Sequence, residues 1–150
     1  MRIIQLVFLS ALLAVTRPAI VAADGNHVTV RAILVIASNQ AAKPDSRLAP
    51  YEPTLRRILR FESYRFEGEG STGLAIPGKG TVAVGRGQAL DLESEKSDGK
   101  GGVHLRVRWH DGGRTLMNTG LVLRPGVPAV LGGPSAGREG EVSAVILVAD

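Results

Sequence analysis

Apolar positions run almost without a break from His27 to Ala37, where Val28, Val30, Ile33, Leu34, Val35 and Ile36 leave no continuous polar face. Such a run, rich in β-branched side chains, predicts a strand buried on both faces and central in its sheet. Ser38 to Ala49 is polar and holds Pro44, as a connection would. Within Pro50 to Glu67 the period then changes. Leu55, Ile58 and Leu59 stand at i, i+3 and i+4, the stripe of a helix with Pro53 near its first turn and Arg56, Arg57 and Arg60 on the wet face and late turns. From Phe61 to Glu67 the alternation is two, with Tyr64 and Phe66 on one side and Ser63 and Arg65 on the other, as in a half-buried strand. A helix running almost directly into a strand is a corner brace, and Leu55 and Tyr64 are expected to meet across it. If this strand shares a sheet with the one at His27, the helical crossover allows the two to be parallel and right-handed.

Beyond Glu67 the apolar runs are short and glycine punctuates them. Ile76-Pro77-Gly78-Lys79 suits a type II turn, predicting a hairpin between Gly73–Ile76 and Thr81–Val84. Gly85-Arg86-Gly87 turns again, and Gln88, Leu90 and Leu92 then share one face while Ala89, Asp91 and Glu93 take the other. Ser94 to Gly102 has no apolar residue and reads as a mobile loop, the expected site of first proteolysis at Lys96 or Lys100. Val103, Leu105, Val107 and Trp109 alternate with His104, Arg106, Arg108 and His110, the clearest amphipathic strand of the chain. Asp111-Gly112-Gly113 returns it into Arg114–Leu123, where Gly120 suits a bulge. Arg124-Pro125-Gly126 turns once more, Pro128–Leu131 is a short strand, Gly132–Gly140 a glycine-rich loop, and Val142–Val148 an interior antiparallel strand. About nine short strands and one N-terminal helix predict a mainly β domain, a two-layer antiparallel β-sandwich, with a partly open β-barrel as the alternative.

The first 23 residues lie outside this pattern. Arg2, the apolar run Ile3–Val15, Pro18 and Val21-Ala22-Ala23 have the order of an export signal cut after Ala23, which leaves Asp24–Asp150 as a single β-sandwich domain with no membrane span. Four of the five aromatic residues in that domain (Tyr51, Phe61, Tyr64, Phe66) fall in the helix-to-strand stretch, so the densest packing is expected there. Without Arg2 and Arg17 the 18 basic residues fall to 16 against 14 acidic ones, too small an excess to argue for nucleic acid. The chain has no cysteine, which excludes a lipid-anchored lipoprotein, disulfide staples and thiol nucleophiles.

Candidate chemistry is sparse. Gly73 to Thr81 nearly spells a phosphate-binding loop, but Gly80 stands where a serine or threonine must follow the lysine, and a turn accounts for the rest. His104 and His110 are six residues apart on one strand, roughly 20 Å at 3.3 Å per residue, and cannot share an ion. Asp111 beside His110 is explained by the Asp-Gly turn, and Glu67, Glu69, Glu93 and Glu95 read as solvated. No catalytic residue, cofactor or metal site is therefore expected. The one surface with a sign is the row His104, Arg106 and Arg108, joined by Arg114 across the hairpin, as a ligand-binding face for an anionic glycan or lipid headgroup. The loop Gly132–Gly137 is a second candidate, for close approach to a partner.

Leu55-Arg-Arg-Ile-Leu-Arg-Phe-Glu-Ser-Tyr-Arg-Phe66, together with Val130-Leu131-Gly132-Gly133 and Val145–Val148, resembles a group of exported bacterial β-sandwich proteins of uncharacterised role. The resemblance implies an envelope location, periplasmic or extracellular, and a β fold, and carries no catalytic residues. The function expected is a non-catalytic envelope protein working by contact with another envelope protein, with anionic-glycan binding and an exported hydrolase built from distant Asp, Glu and His residues as the alternatives.

Overall fold

β1 (His27–Ser38) serves two cores at once. In the computed structural model, which describes residues 26–150, Val28, Val30, Ala32 and Leu34 point one way and Ile33, Val35 and Ala37 the other, all of them buried. The expected export signal and its cleavage point fall outside the described residues. Two four-stranded antiparallel sheets face each other. One has the order β2-β1-β8-β7, from β2 (Ser63–Ala75), β7 (Ala129–Ser135) and β8 (Glu141–Ala149). The other has the order β3-β4-β5-β6, from β3 (Gly78–Gly85), β4 (Gln88–Ser97), β5 (Val103–Asp111) and β6 (Arg114–Leu123). The β-sandwich expected from the strand spacing is the architecture of the protein.

The space between the sheets is filled by aliphatic side chains and by Trp109, which is fully buried. A second core lies on the outer side of the first sheet, where a 3₁₀ turn (Ser46–Leu48) and α1 (Glu52–Leu59) cover Ile33, Val35, Ile146 and Val148. Pro53 and Glu52 open the helix, and Arg60, at φ 55°, ends it in the left-handed region. Leu55 is fully buried and shares its cluster with Tyr64. The corner is clasped where the Phe61 N–H donates to the Tyr64 hydroxyl (3.1 Å). All four aromatics of the stretch sit in or against this outer core, so the densest packing between the sheets is organised elsewhere, around β1, β8 and Trp109. Ile58 is 48 % exposed and does not belong to the helix's buried stripe.

Several elements differ from expectation, each for a physical reason. β1 and β2 are antiparallel, not parallel, because the chain reverses over the helix and re-enters beside the end of β1, with Ser38 opposite Ser63. β2 is a single strand of 13 residues, Ser63–Ala75, that joins most of Phe61–Glu67 to most of Gly73–Ile76, giving eight strands among the described residues instead of nine. β2 pairs with β1 along this length and stays an edge strand, while β3 forms no hairpin with it and passes to the other sheet at Ile76–Pro77, a cis peptide bond in place of the type II turn. The two edges then press together. A Cβ on Gly68 or Gly70 would overlap the carbonyl oxygen of Val84 or Ala83. Gly70→Ala is therefore expected to cost about 1 to 3 kcal/mol, the range of overpacked sites, because backbone on the facing strand must yield. Gly73→Ala, where a Cβ meets open space, serves as the control in urea denaturation.

Ser94–Gly102 is not the mobile loop expected. β4 continues to Ser97, and Ser94 fills a core position because its hydroxyl donates to the carbonyls of Ala75 (2.5 Å) and Gly78 (3.3 Å) at the sheet-crossing corner. The remaining turn is tied by the Asp98 carboxylate, which accepts from the Lys100 and Gly102 amides (2.7 and 2.9 Å) and from Arg124 (3.1 Å). Gly120 lies in register opposite Arg106, and the irregularity of that hairpin falls instead between Trp109 and His110, leaving Leu116 as the extra residue. Gly132–Ser135 belongs to β7, not to a loop, since Gly133 is where the Trp109 ring needs a neighbour without a side chain.

Candidate functional site

Alternation along β5 places His104, Arg106 and Arg108 on the outer face of the β3-β4-β5-β6 sheet, as the pattern requires, while Val103, Leu105, Val107 and Trp109 are buried. Arg114 does not join them. The two-residue turn sets Arg114 opposite Asp111, which has the inward parity of Val107 and Trp109, so Arg114 lies at the end of the hairpin in the mouth between the two sheets. The predicted set is thus three residues on one face and a fourth elsewhere.

The row does not keep its sign. Arg106 donates to Glu95 (3.1 Å), and Arg108 grips Asp91 Oδ2 through Nε (3.0 Å) and Nη2. Asp91 Oδ1 accepts from the Thr81 hydroxyl (3.0 Å) and faces His110 Nε2 (3.3 Å). A shallow groove of about 570 Å³ crosses the row, and its charged lining is mixed: Lys79, Arg106 and Arg108 against Asp91 and Glu93. The sequence pattern puts Asp91 and Glu93 on one face of their strand and reads Glu93 and Glu95 as solvated, without pairing any of them to the arginine row. Reading Ser94–Gly102 as a loop hid the β4–β5 pairing, which sets Asp91 opposite Arg108 and Glu93 opposite Arg106.

The Arg108 hydrogen bond, followed by those from Thr81 and His110, holds the Asp91 carboxyl below its usual range despite some desolvation. A carboxyl lowered on folding stabilises the protein above its unfolded value, about 3.9, and that contribution is lost as pH falls through the folded value. Both side chains are partly exposed, 52 % for Arg108 and 34 % for Asp91, so the pair is worth no more than about 1 kcal/mol. Asp91→Asn is expected to be less stable than the parent at neutral pH and equal to it in strong acid, in paired denaturation curves. A gap that persists unchanged in strong acid would place the effect in packing and not in the ion pair.

Asp91, His110 and Thr81 do bring together a carboxylate, an imidazole and a hydroxyl, but in the wrong order for nucleophile activation. A triad sets the imidazole between hydroxyl and carboxylate. Here the carboxylate is in the middle, the Thr81 hydroxyl donates to it, and His110 Nδ1 faces the Gly112 carbonyl (3.1 Å). Asp111, expected only to shape a turn, lies in the mouth with Arg114.

The remaining feature is an edge. From Met117 to Leu123, past the bulge at Leu116, β6 has no charged residue and no proline, and it makes no backbone–backbone hydrogen bond outside the β5 ladder among the described residues. The other edges are guarded: β2 and β3 press on each other through Gly68 and Gly70, and β7 is short, irregular in register and carries Pro134. No helix among the described residues is long and apolar enough to cross a membrane. No protein-family model, curated protein or solved structure matches the chain.

Proposed function

We propose that this is a non-catalytic module of the cell envelope that works by contact with another protein, which adds an extended segment to the edge of β6. The observation that carries the reading is the seven-residue edge Met117–Leu123, uncharged, in unbroken register and without a backbone partner on its outer side among the described residues. Exposed edges template strand addition, and folds that do not use them guard them with lysine, proline, bulges or short strands. Val122, 40 % exposed on the outer face of β6, offers an added strand a side chain to pack on. The envelope location follows from the leader Ile3–Val15 and Val21-Ala22-Ala23. Anionic-polymer binding along His104, Arg106 and Arg108 is the weaker reading, because Glu95 and Asp91 occupy two of its three side chains. The triad order makes hydrolysis at Asp91 and His110 weaker still.

The test is a photo-crosslinking residue placed at Gly120, with a second at Arg57 on the exposed side of α1, in otherwise unaltered protein in its native envelope. One discrete adduct from position 120, absent from position 57 and lost when Asn118→Lys and Val122→Lys are added, is the expected result. Identical adducts from both positions, or none from 120, would sink the reading.

A further inference from the structure

We infer that the mouth above Trp109, at the end of the sandwich where Arg114 lies, binds a small hydroxylated carboxylate of the acidic-sugar type. This goes beyond the proposed protein contact and rests on different residues.

The mouth is a cleft of about 290 Å³. Register builds its floor. Gln88 lies opposite Asp111, and Asp111 opposite Arg114, so three polar side chains from adjacent strands stand in a row just beyond Trp109. Arg86 enters from the β3–β4 turn, and Ser143 from β8 on the facing sheet.

The donors here are unspent. Arg114 has no carboxylate within ion-pair reach among the described residues, although Asp111 is its neighbour in register. Arg86 reaches only Glu67, at 3.8 Å, and that carboxylate already accepts from Arg65 at 2.6 Å. The arginines on the β5 row, by contrast, each hold a carboxylate. Ser143 is only 4 % exposed and lines the cleft from the facing sheet. Gln88 uses its carbonyl oxygen to accept from the Trp109 indole (3.0 Å), which leaves its NH₂ to donate.

Two guanidiniums, a hydroxyl and an amide make a donor-rich wall suited to a carboxylate, which only accepts. Asp111 is the one acidic group of the lining, and it supplies what a bare anion does not need: an acceptor for ligand hydroxyls. A ligand with a carboxylate at one end and hydroxyls at the other satisfies both. The anionic glycan sought along the β5 row thus finds its chemistry in the place to which Arg114 was displaced.

Trp109 is the only tryptophan of the chain and touches the cleft through Gln88, so its emission and its indole N–H resonance report on occupancy. Protein is titrated separately with glucuronate, inorganic phosphate and glucose. Saturable indole shifts are expected with glucuronate and none with glucose. Arg114→Gln and Arg86→Gln should each weaken glucuronate at least tenfold, with thermal melts confirming that both fold, while Arg106→Gln leaves the titration unchanged. Phosphate saturating the signal while glucuronate stays silent would overturn the carboxylate assignment. Silence with all three, or a response that survives the Arg86→Gln, Arg114→Gln double substitution, would overturn the site.

Discussion

Trp109→Ala is expected to destabilise the protein by about 3 to 5 kcal/mol, the range for deleting a fully buried indole. Most small domains have roughly 5 to 15 kcal/mol in all, so the variant should lie close to unfolding at room temperature. The loss has two parts. The ring fills the interior between the sheets against Gly133, and nothing nearby is free to take its place, since the facing position has no side chain to reorient. The indole N–H also satisfies Gln88, whose carbonyl would be returned to the cleft. Trp109→Phe keeps an aromatic ring but removes the N–H and about a third of the ring atoms, and should cost less than Trp109→Ala. Urea midpoints for the two variants decide the matter. A loss under about 1 kcal/mol for Trp109→Ala would mean that the sheets close over the gap and that Gly133 is not the constraint described.

Leu55→Ala should cost about 2 to 5 kcal/mol, although the helix that carries it has only eight residues. An isolated helix of that length is marginal in water, so its stability comes from the face it buries. That face covers the outer side of β1 and β8 with Tyr51, Leu48 and Tyr64, and Leu55 is at its centre with no exposed surface. Because β1 and β8 also form the inner core, loosening the outer layer should lower the midpoint of the whole unfolding transition without splitting it. Ile58→Ala, one turn away and half exposed, should change stability by less than about 0.5 kcal/mol. Comparable losses for the two would mean that the helix packs by a different face.

Strand alternation was legible wherever one face is dry. Val103 to His110 follows from its period, the hairpin through Gly112 from its turn residues and the doubly buried β1 from its unbroken apolar run, and together they give the sandwich. What stayed hidden were positions where a polar or glycine residue does the work of an apolar one. Ser94 is in the core because two carbonyls at the corner need its hydroxyl. Gly68 and Gly70 are in a strand because two backbones touch there. Gly133 is in a strand because a ring does. None of these has a periodic signature, since each is dictated by a residue far away in the chain. The same blindness governed the candidate site. Arg106 and Arg108 were placed on the correct face, but their partners Glu95 and Asp91 become visible only once β4 and β5 are paired, and Arg114 takes the opposite face because the two-residue turn sets it across from Asp111, one step out of phase with Arg108 and His110.

The pairing of β1 with β8 sets a timing problem for synthesis. Ile33 faces Ile146, more than a hundred positions later, and at 5 to 20 residues per second the ribosome needs on the order of ten seconds to deliver it. During that interval β1 can pair with β2 and be covered by α1 and by β3 to β6, all of which emerge earlier, but its second edge has no strand to pair with. The sheet is therefore closed only by the last strand, and the nascent protein presents an open, strongly apolar strand edge until then. Substitutions in β1 that leave the finished fold intact should still alter yield, by changing how long the unfinished chain survives.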